Sequence, residues 1–109
     1  MSVTAPEVIE RYFRAVNDDD ADTLVACFTS DAAVSDEDRT HAGHDEIRAW
    51  REETKSAYQY TAEVISAEPG AGDQYVVVTR LTGNFPGSPL EMTYLFTLHD
   101  ELISKLDIE

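Results

Sequence analysis

The feature that most narrows the fold is a change of hydrophobic period near Tyr58. Before it, apolar residues recur at helical spacing in three separate stretches; after it they alternate with polar ones. The first stripe is Ile9, Tyr12, Phe13 and Val16. It follows Thr4-Ala5-Pro6-Glu7, which reads as a helix start with Thr4 as cap, Pro6 in the first turn and Glu7 closing a capping box. Asn17-Asp18-Asp19-Asp20 breaks that helix, and Asp20 or Asp22 caps a second, shorter one with Leu24, Cys27 and Phe28 on its buried face, ended by Thr29-Ser30-Asp31. A third helix follows Thr40-His41-Ala42-Gly43. Asp45 and Glu46 suit its positive end, and Ile47, Trp50 and Thr54, with Ala57 or Tyr58, mark its inner face.

The remaining stretches predict strands. Ala32-Ala33-Val34-Ser35-Asp36 is a short one in which Ala32, Val34 and Asp36 share the apolar side. Glu37-Asp38-Arg39 after it reads as a solvated, charged connection. Tyr60, Ala62 and Val64 alternate with Thr61, Glu63 and Ile65 before the Pro69-Gly70-Ala71-Gly72-Asp73 turn. Tyr75-Val76-Val77-Val78-Thr79-Arg80-Leu81 reads as an interior strand, and Asn84-Phe85-Pro86-Gly87-Ser88-Pro89 as a rigid turn. Leu90, Met92, Tyr94, Phe96 and Leu98 form one apolar face, and 102–108 the last strand. Three amphipathic stripes need a common apolar surface, so the expected class is α+β: helices packed on one face of a curved, mostly antiparallel sheet, in a single domain over 1–109.

A carboxylate on the apolar side of a strand must be paired, hydrogen-bonded or open to a cavity. Two readings of Asp36 stay open on these grounds, a base in a pocket and a solvated acid at a rim. Composition excludes some partners. Eight Lys and Arg against 22 Asp and Glu give a net charge of -14, which repels nucleic-acid backbones and anionic lipid surfaces alike. Cys27 is the only cysteine, so an intrachain disulfide is ruled out, and its apolar surroundings suit a small core residue rather than a nucleophile. No apolar run approaches a membrane span and no basic, long apolar leader precedes the first helix, so the expected compartment is the cytoplasm.

Four stretches, Glu10-Arg11-Tyr12-Phe13-Arg14-Ala15-Val16-Asn17, Leu24-Val25-Ala26-Cys27-Phe28, Asp31-Ala32-Ala33-Val34 and Gly43-His44-Asp45-Glu46-Ile47-Arg48, resemble the nuclear transport factor 2-like superfamily. Within it the chain is most similar to SnoaL-like polyketide cyclases and ketosteroid isomerases. The resemblance implies a cone, with a strongly curved mixed sheet around a cavity roofed by the N-terminal helices, and a homodimer through the sheet's outer face. Tyr12 matches the helix tyrosine of ketosteroid isomerases that hydrogen-bonds the substrate's carbonyl oxygen. Asp36, in Val34-Ser35-Asp36, matches the aspartate that moves the proton. The protonated acid of a late strand is missing, since Thr93-Tyr94-Leu95-Phe96 contains none; Tyr94 is the substitute donor.

The expected site is therefore catalytic Asp36 and Tyr12 in a pocket for a small hydrophobic ketone, lined by Phe13, Val16, Phe28, Val34, Trp50, Met92, Tyr94 and Phe96. Proton abstraction beside a carbonyl is the shared first step of isomerisation, aldol-type ring closure and dehydration, so this pair implies a reaction class without a product. Tyr12 also belongs to the first stripe and packs a core in either case. Phe85 reads as a contact with the neighbouring strand or a lid at the mouth. His41 and His44, near Asp36, Asp38 and Asp45 in sequence, lack the spacing of a metal site, and His44 suits the start of the third helix; neither metal nor cofactor is expected. The competing expectation is a non-catalytic module that works through ligand binding or a dimer surface.

Overall fold

Most of the periods produce the elements they predict in the computed structural model, which describes residues 5–36, 38–57 and 59–108, with backbone alone at 56 and 57. The Thr4 cap, the Glu37 charge and the Tyr58 position lie outside the described residues. Helix α1 (Glu7–Asp18) buries Val8, Ile9, Tyr12, Phe13, Ala15 and Val16. Pro6 sits one place before the first turn rather than in it, and its carbonyl accepts from the Ile9 and Glu10 amides at 3.0 and 3.2 Å. Asp19 ends the helix in the left-handed region, at φ 59°. Asp20 then caps α2 (Ala21–Ala26), accepting from the Thr23 hydroxyl at 2.6 Å and the Thr23 amide at 3.1 Å. Those two bonds hold its carboxyl below the usual carboxylate range.

Two expectations are corrected here. Cys27 and Phe28 are buried but not helical: α2 stops at Ala26 and strand β1 runs Phe28–Asp36. The reason is the last strand, β6 (Leu102–Ile108), whose Ile103 amide donates to the Cys27 carbonyl at 2.8 Å and draws the chain into the sheet early. An irregularity between Phe28 and Ala33 absorbs Thr29-Ser30-Asp31. Secondly, the charged connection after Asp36 leads directly into a strand, β2 (Arg39–Ala42), which folds back on β1 from Asp36↔Arg39 to Ala33↔Ala42. A four-residue edge strand open to solvent has no alternating pattern to betray it.

Helix α3 (Gly43–Ala57) precedes β3 (Tyr60–Pro69), β4 (Gln74–Gly83) and β5 (Leu90–His99). The six strands run in the order β2-β1-β6-β5-β4-β3; β1 and β6 are parallel and the other neighbours antiparallel. Helix α1 contacts both β6 in the middle and β3 at the edge, so the sheet bends around it, while α3 covers β1 and β2. The Asn17 side chain fastens α1 to β3 by mimicking a strand. Its amide nitrogen donates to the Ala62 carbonyl at 2.9 Å and its oxygen accepts from the Ala62 amide at 2.7 Å.

Between helices and sheet lies a cluster of rings. Tyr12 meets Phe13, Phe28 and Phe96 edge-on at centroid separations of 5.0, 5.9 and 5.6 Å. Phe13 and Phe96 each pack on Tyr94, at 5.4 and 6.1 Å. Such pairs add about 1 kcal/mol each beyond their buried area.

At the far end of β4, Gly83 lies opposite Tyr60 with no room for a side chain: a Cβ would run into the Gln59 carbonyl and the Tyr60 backbone. Replacing Gly83→Ala is expected to cost about 1–3 kcal/mol, read as a lowered midpoint of urea unfolding. An unchanged midpoint would mean that the β3–β4 approach is looser than described.

Candidate active site

At the end of the sheet where β1 and β6 finish and β5 begins, the strands part from α3 and leave a cleft of about 330 Å³. Asp36, the last residue of β1, and Trp50 and Thr54 of α3 form one wall. Tyr60, Leu81, Met92, Tyr94 and Ile108 form the floor and the opposite wall. Phe85 and Pro86, from the turn between β4 and β5, stand with Leu90 at the mouth. The surround is apolar and the polar groups few, as in a site for a small organic molecule.

The Asp36 carboxylate is half-buried, and the Trp50 indole donates to its Oδ2 at 3.0 Å. Among the described residues nothing hydrogen-bonds Oδ1, so one oxygen is oriented and the other is available. Arg51, only 6% exposed, lies behind the cleft. Its Nη1 donates to Tyr60 Oη at 3.2 Å and its Nη2 to the Val16 carbonyl at 3.3 Å; the guanidinium carbon stands 5.7 Å from the centre of the Tyr60 ring.

Burial pushes the phenols of Tyr12, Tyr60 and Tyr94 above the ordinary tyrosine range. The Asp36 charge adds to the rise in all three, and the Arg51 charge opposes it. Asp36 and Arg51 are thus each within electrostatic reach of the three hydroxyls. At neutral pH the phenols are hydrogen-bond donors, not bases.

Of the residues expected from sequence, Asp36, Trp50, Met92 and Tyr94 come together in the cleft wall. Phe13, Val16, Phe28, Val34 and Phe96 lie in the packed core and do not face the cleft; the ring cluster occupies the space they were expected to line. Tyr12, 2% exposed, belongs to that cluster. Phe85 both packs on the core and stands at the cleft mouth. Sequence reasoning missed Arg51 and Tyr60 as site residues. The signal was present: Ile47, Trp50, Arg51 and Thr54 sit at i, i+3, i+4 and i+7, which turns an arginine to the inner face of α3.

The two histidines diverge. His44 Nε2 is 2.9 Å from the Phe28 carbonyl, whereas the His41 ring leans on Trp50 at 6.2 Å. Among the described residues no three His, Cys, Asp or Glu side chains are grouped to hold a metal ion, and no helix is long and apolar enough to cross a membrane. A larger groove, about 750 Å³, lies at the other end of the strands beside the start of α1. Its rim is Glu7, Arg11, Asp73, His99, Asp100 and Glu101, with the acids exposed to solvent, so it is a hydrated surface channel rather than a desolvated site.

Residues 9–106 match the family model described as the SnoaL-like domain. The chain belongs to the SnoaL-like family. A Sinorhizobium meliloti protein provisionally described as a polyketide cyclase superimposes with a TM-score of 0.92 at 37% identity, over 96% of this chain and 95% of that one. Two more distant structures share the fold. A Catenulispora acidiphila protein with a ketosteroid isomerase-like fold, in complex with trimethylamine, gives 0.85 at 21% identity over 97% and 86% of the two chains. An epoxide hydrolase/cyclase-like enzyme of pyran ring formation in the polyether salinomycin gives 0.81 at 23% over 94% and 86%. No curated protein sequence matches the chain significantly. The SnoaL-like domain here is thus the nuclear transport factor 2-like α+β architecture anticipated from its sequence.

The raised phenols have a pH signature. The fold favours the protonated phenol of Tyr12 and Tyr94, so their contribution to stability is complete below the unfolded value, about 10, and is lost as pH rises toward the folded values. In an alkaline titration followed by ultraviolet absorbance and circular dichroism together, the Tyr12 and Tyr94 tyrosinates should appear only with unfolding. Tyr12→Phe should shrink that coincident step. Ionisation of both residues in the ordinary range, with the fold intact, would contradict their described burial.

Proposed function

We propose that this SnoaL-like protein is an enzyme that abstracts a proton from carbon beside a carbonyl of a small, hydrophobic ketone, in an isomerase- or cyclase-type reaction. The observation that carries this reading is the half-buried Asp36 carboxylate on the wall of an otherwise apolar cleft, oriented through Oδ2 by Trp50, with no hydrogen bond to Oδ1 among the described residues. In the proposed step Oδ1 takes the α-proton and electrons move onto the carbonyl oxygen. The resulting enolate is stabilised by the Tyr94 hydroxyl at the cleft wall, while Tyr12, enclosed in the ring cluster, acts from behind without touching the substrate. Neutral, desolvated phenols suit this task because they donate to a developing negative charge without having to be reorganised. Asp36 then returns the proton to a second position, or the enolate attacks a carbonyl within the same molecule and the alkoxide formed takes the proton back from Asp36.

The apolar wall that receives the substrate's body is Trp50 and Met92, with Phe85 and Leu90 at the entrance. The relatives described as cyclases agree with ring-forming chemistry, and the missing late-strand acid sets this chain apart from ketosteroid isomerases. The proposal includes a homodimer in the cytoplasm. Pairing would use the outer face of the sheet, where the Val76 side chain is exposed on β4.

The test is deuterium exchange at the α-carbon of a cyclic ketone in heavy water, followed by NMR. Wild-type protein should accelerate exchange, and Asp36→Asn should reduce the acceleration by about 100-fold or more while the fold is retained. Equal exchange by the variant would remove Asp36 as the base. No acceleration by the wild type, together with saturable binding of the ketone, would favour the non-catalytic ligand-binding module instead.

A further inference from the structure

Among the described residues Arg51 is a buried cation with no carboxylate in ion-pair contact. Among the described residues none of the ion pairs includes it, and its partners are a backbone carbonyl and a phenol. Removing a guanidinium from water costs several kcal/mol even after relaxation, and two neutral acceptors do not repay that in full. A link between α1, α3 and β3 could be made by a neutral side chain, so the charge itself requires an account. Its geometry supplies one. Nη1 points to the oxygen of Tyr60, and the ring of Tyr60 forms part of the cleft wall.

The direction of this hydrogen bond fixes the role of the Tyr60 oxygen. A guanidinium has donors only, so in this pair Tyr60 Oη must accept. Its own proton is then left to give. Among the described residues no protein acceptor takes it, and Tyr60 is not enclosed in the core but half-buried at the cleft. A phenol that accepts from a cation is also a stronger donor, because each bond polarises the next.

We infer that Tyr60, held and polarised by Arg51, is an oxygen-binding residue of the cleft, and that the site selects apolar molecules with one oxygen that carries or develops negative charge. Tyr60 is the donor that touches the ligand; Arg51 is a positioning residue that acts through it. The inference rests on the proposed small-molecule reading of the same cleft and names the ligand class for it. It also assigns a role to the two opposite charges there. Asp36 and Tyr60 both line the cleft and Arg51 lies behind Tyr60, so a neutral ketone in the cleft meets a base and a polarised donor. As negative charge moves from Asp36 to the ligand oxygen, it moves toward Arg51.

Two probes of nearly equal shape separate this role from simple packing: naphthalene and 2-naphthol, titrated into wild type, Tyr60→Phe, Arg51→Lys and Arg51→Gln by fluorescence. The wild type should prefer the naphthol by about 10-fold or more, the value of one hydrogen bond to a strongly polarised donor. Tyr60→Phe keeps the ring and should abolish the preference while naphthalene affinity stays within about 2-fold. Arg51→Gln should reduce the preference and Arg51→Lys restore part of it; if neither Arg51 variant folds, Tyr60→Phe alone decides. A preference that survives Tyr60→Phe overturns the assignment, and if Asp36→Asn still abolishes α-proton exchange the proposed function stands without it. Binding of neither probe by the wild type overturns both.

Discussion

The packing of five rings decides where this molecule can hold a ligand. Tyr12 and Phe13 from α1 lock against Phe28, Tyr94 and Phe96 from the sheet, and they fill the inner end of the bent sheet with side chains. A close-packed interior leaves few voids larger than a water. Among the described residues the apolar cleft therefore lies toward the rim, between Asp36, Trp50 and Thr54 on one side and Met92, Tyr94 and Ile108 on the other. The same packing that stabilises the fold fixes the size and position of the site.

That position has chemical consequences. Asp36 occupies the last place of β1, where the Trp50 indole orients the carboxylate through Oδ2 and, among the described residues, no hydrogen bond occupies Oδ1. The tyrosines mark a gradient inward from there: Tyr60 and Tyr94 form part of the cleft wall and Tyr12 lies behind in the cluster. All three are kept protonated by burial, and among the described residues Arg51 is the cation whose charge reaches all of them. A base, a set of neutral donors and a distant positive charge are the components that enolate chemistry requires. The proposed function and the role inferred for Tyr60 both follow from this arrangement.

Much of the fold could be read from the sequence because it is written in periods. The stripe Ile9, Tyr12, Phe13 and Val16 has one inner face and is buried as its spacing requires; in the alternation at Leu90, Met92, Tyr94 and Phe96 only Tyr94 and Phe96 are fully buried, Met92 is half-buried and Leu90 is exposed. Strand β2 was illegible because Arg39-Thr40-His41-Ala42 gains its structure from pairing with β1, not from a pattern of its own. Phe28 was misread for a related reason, since an apolar residue after a helix fits the helical stripe until β6 claims it. In the site, local sequence pointed to Asp36 and Trp50 but could not tell a ring that fills the core from one that lines a cleft. Phe13 and Met92 are both inward-facing apolar residues, and only the three-dimensional packing separates them. Arg51 was hidden by a habit of expectation: its place on the inner face of α3 was visible, but a charged residue there is usually read as solvated.

The most direct test of the central claim, that the ring cluster confines the ligand to the rim cleft between Asp36 and the tyrosines, is a crystal structure with 2-naphthol bound. The account predicts the naphthol ring between Met92, Phe85 and Trp50, with its oxygen within hydrogen-bonding distance of Tyr60 or Tyr94 and the Asp36 carboxylate facing the ring edge. A naphthol inserted among Tyr12, Phe28 and Phe96, or seated in the charged groove beside Glu7 and Arg11, would contradict it.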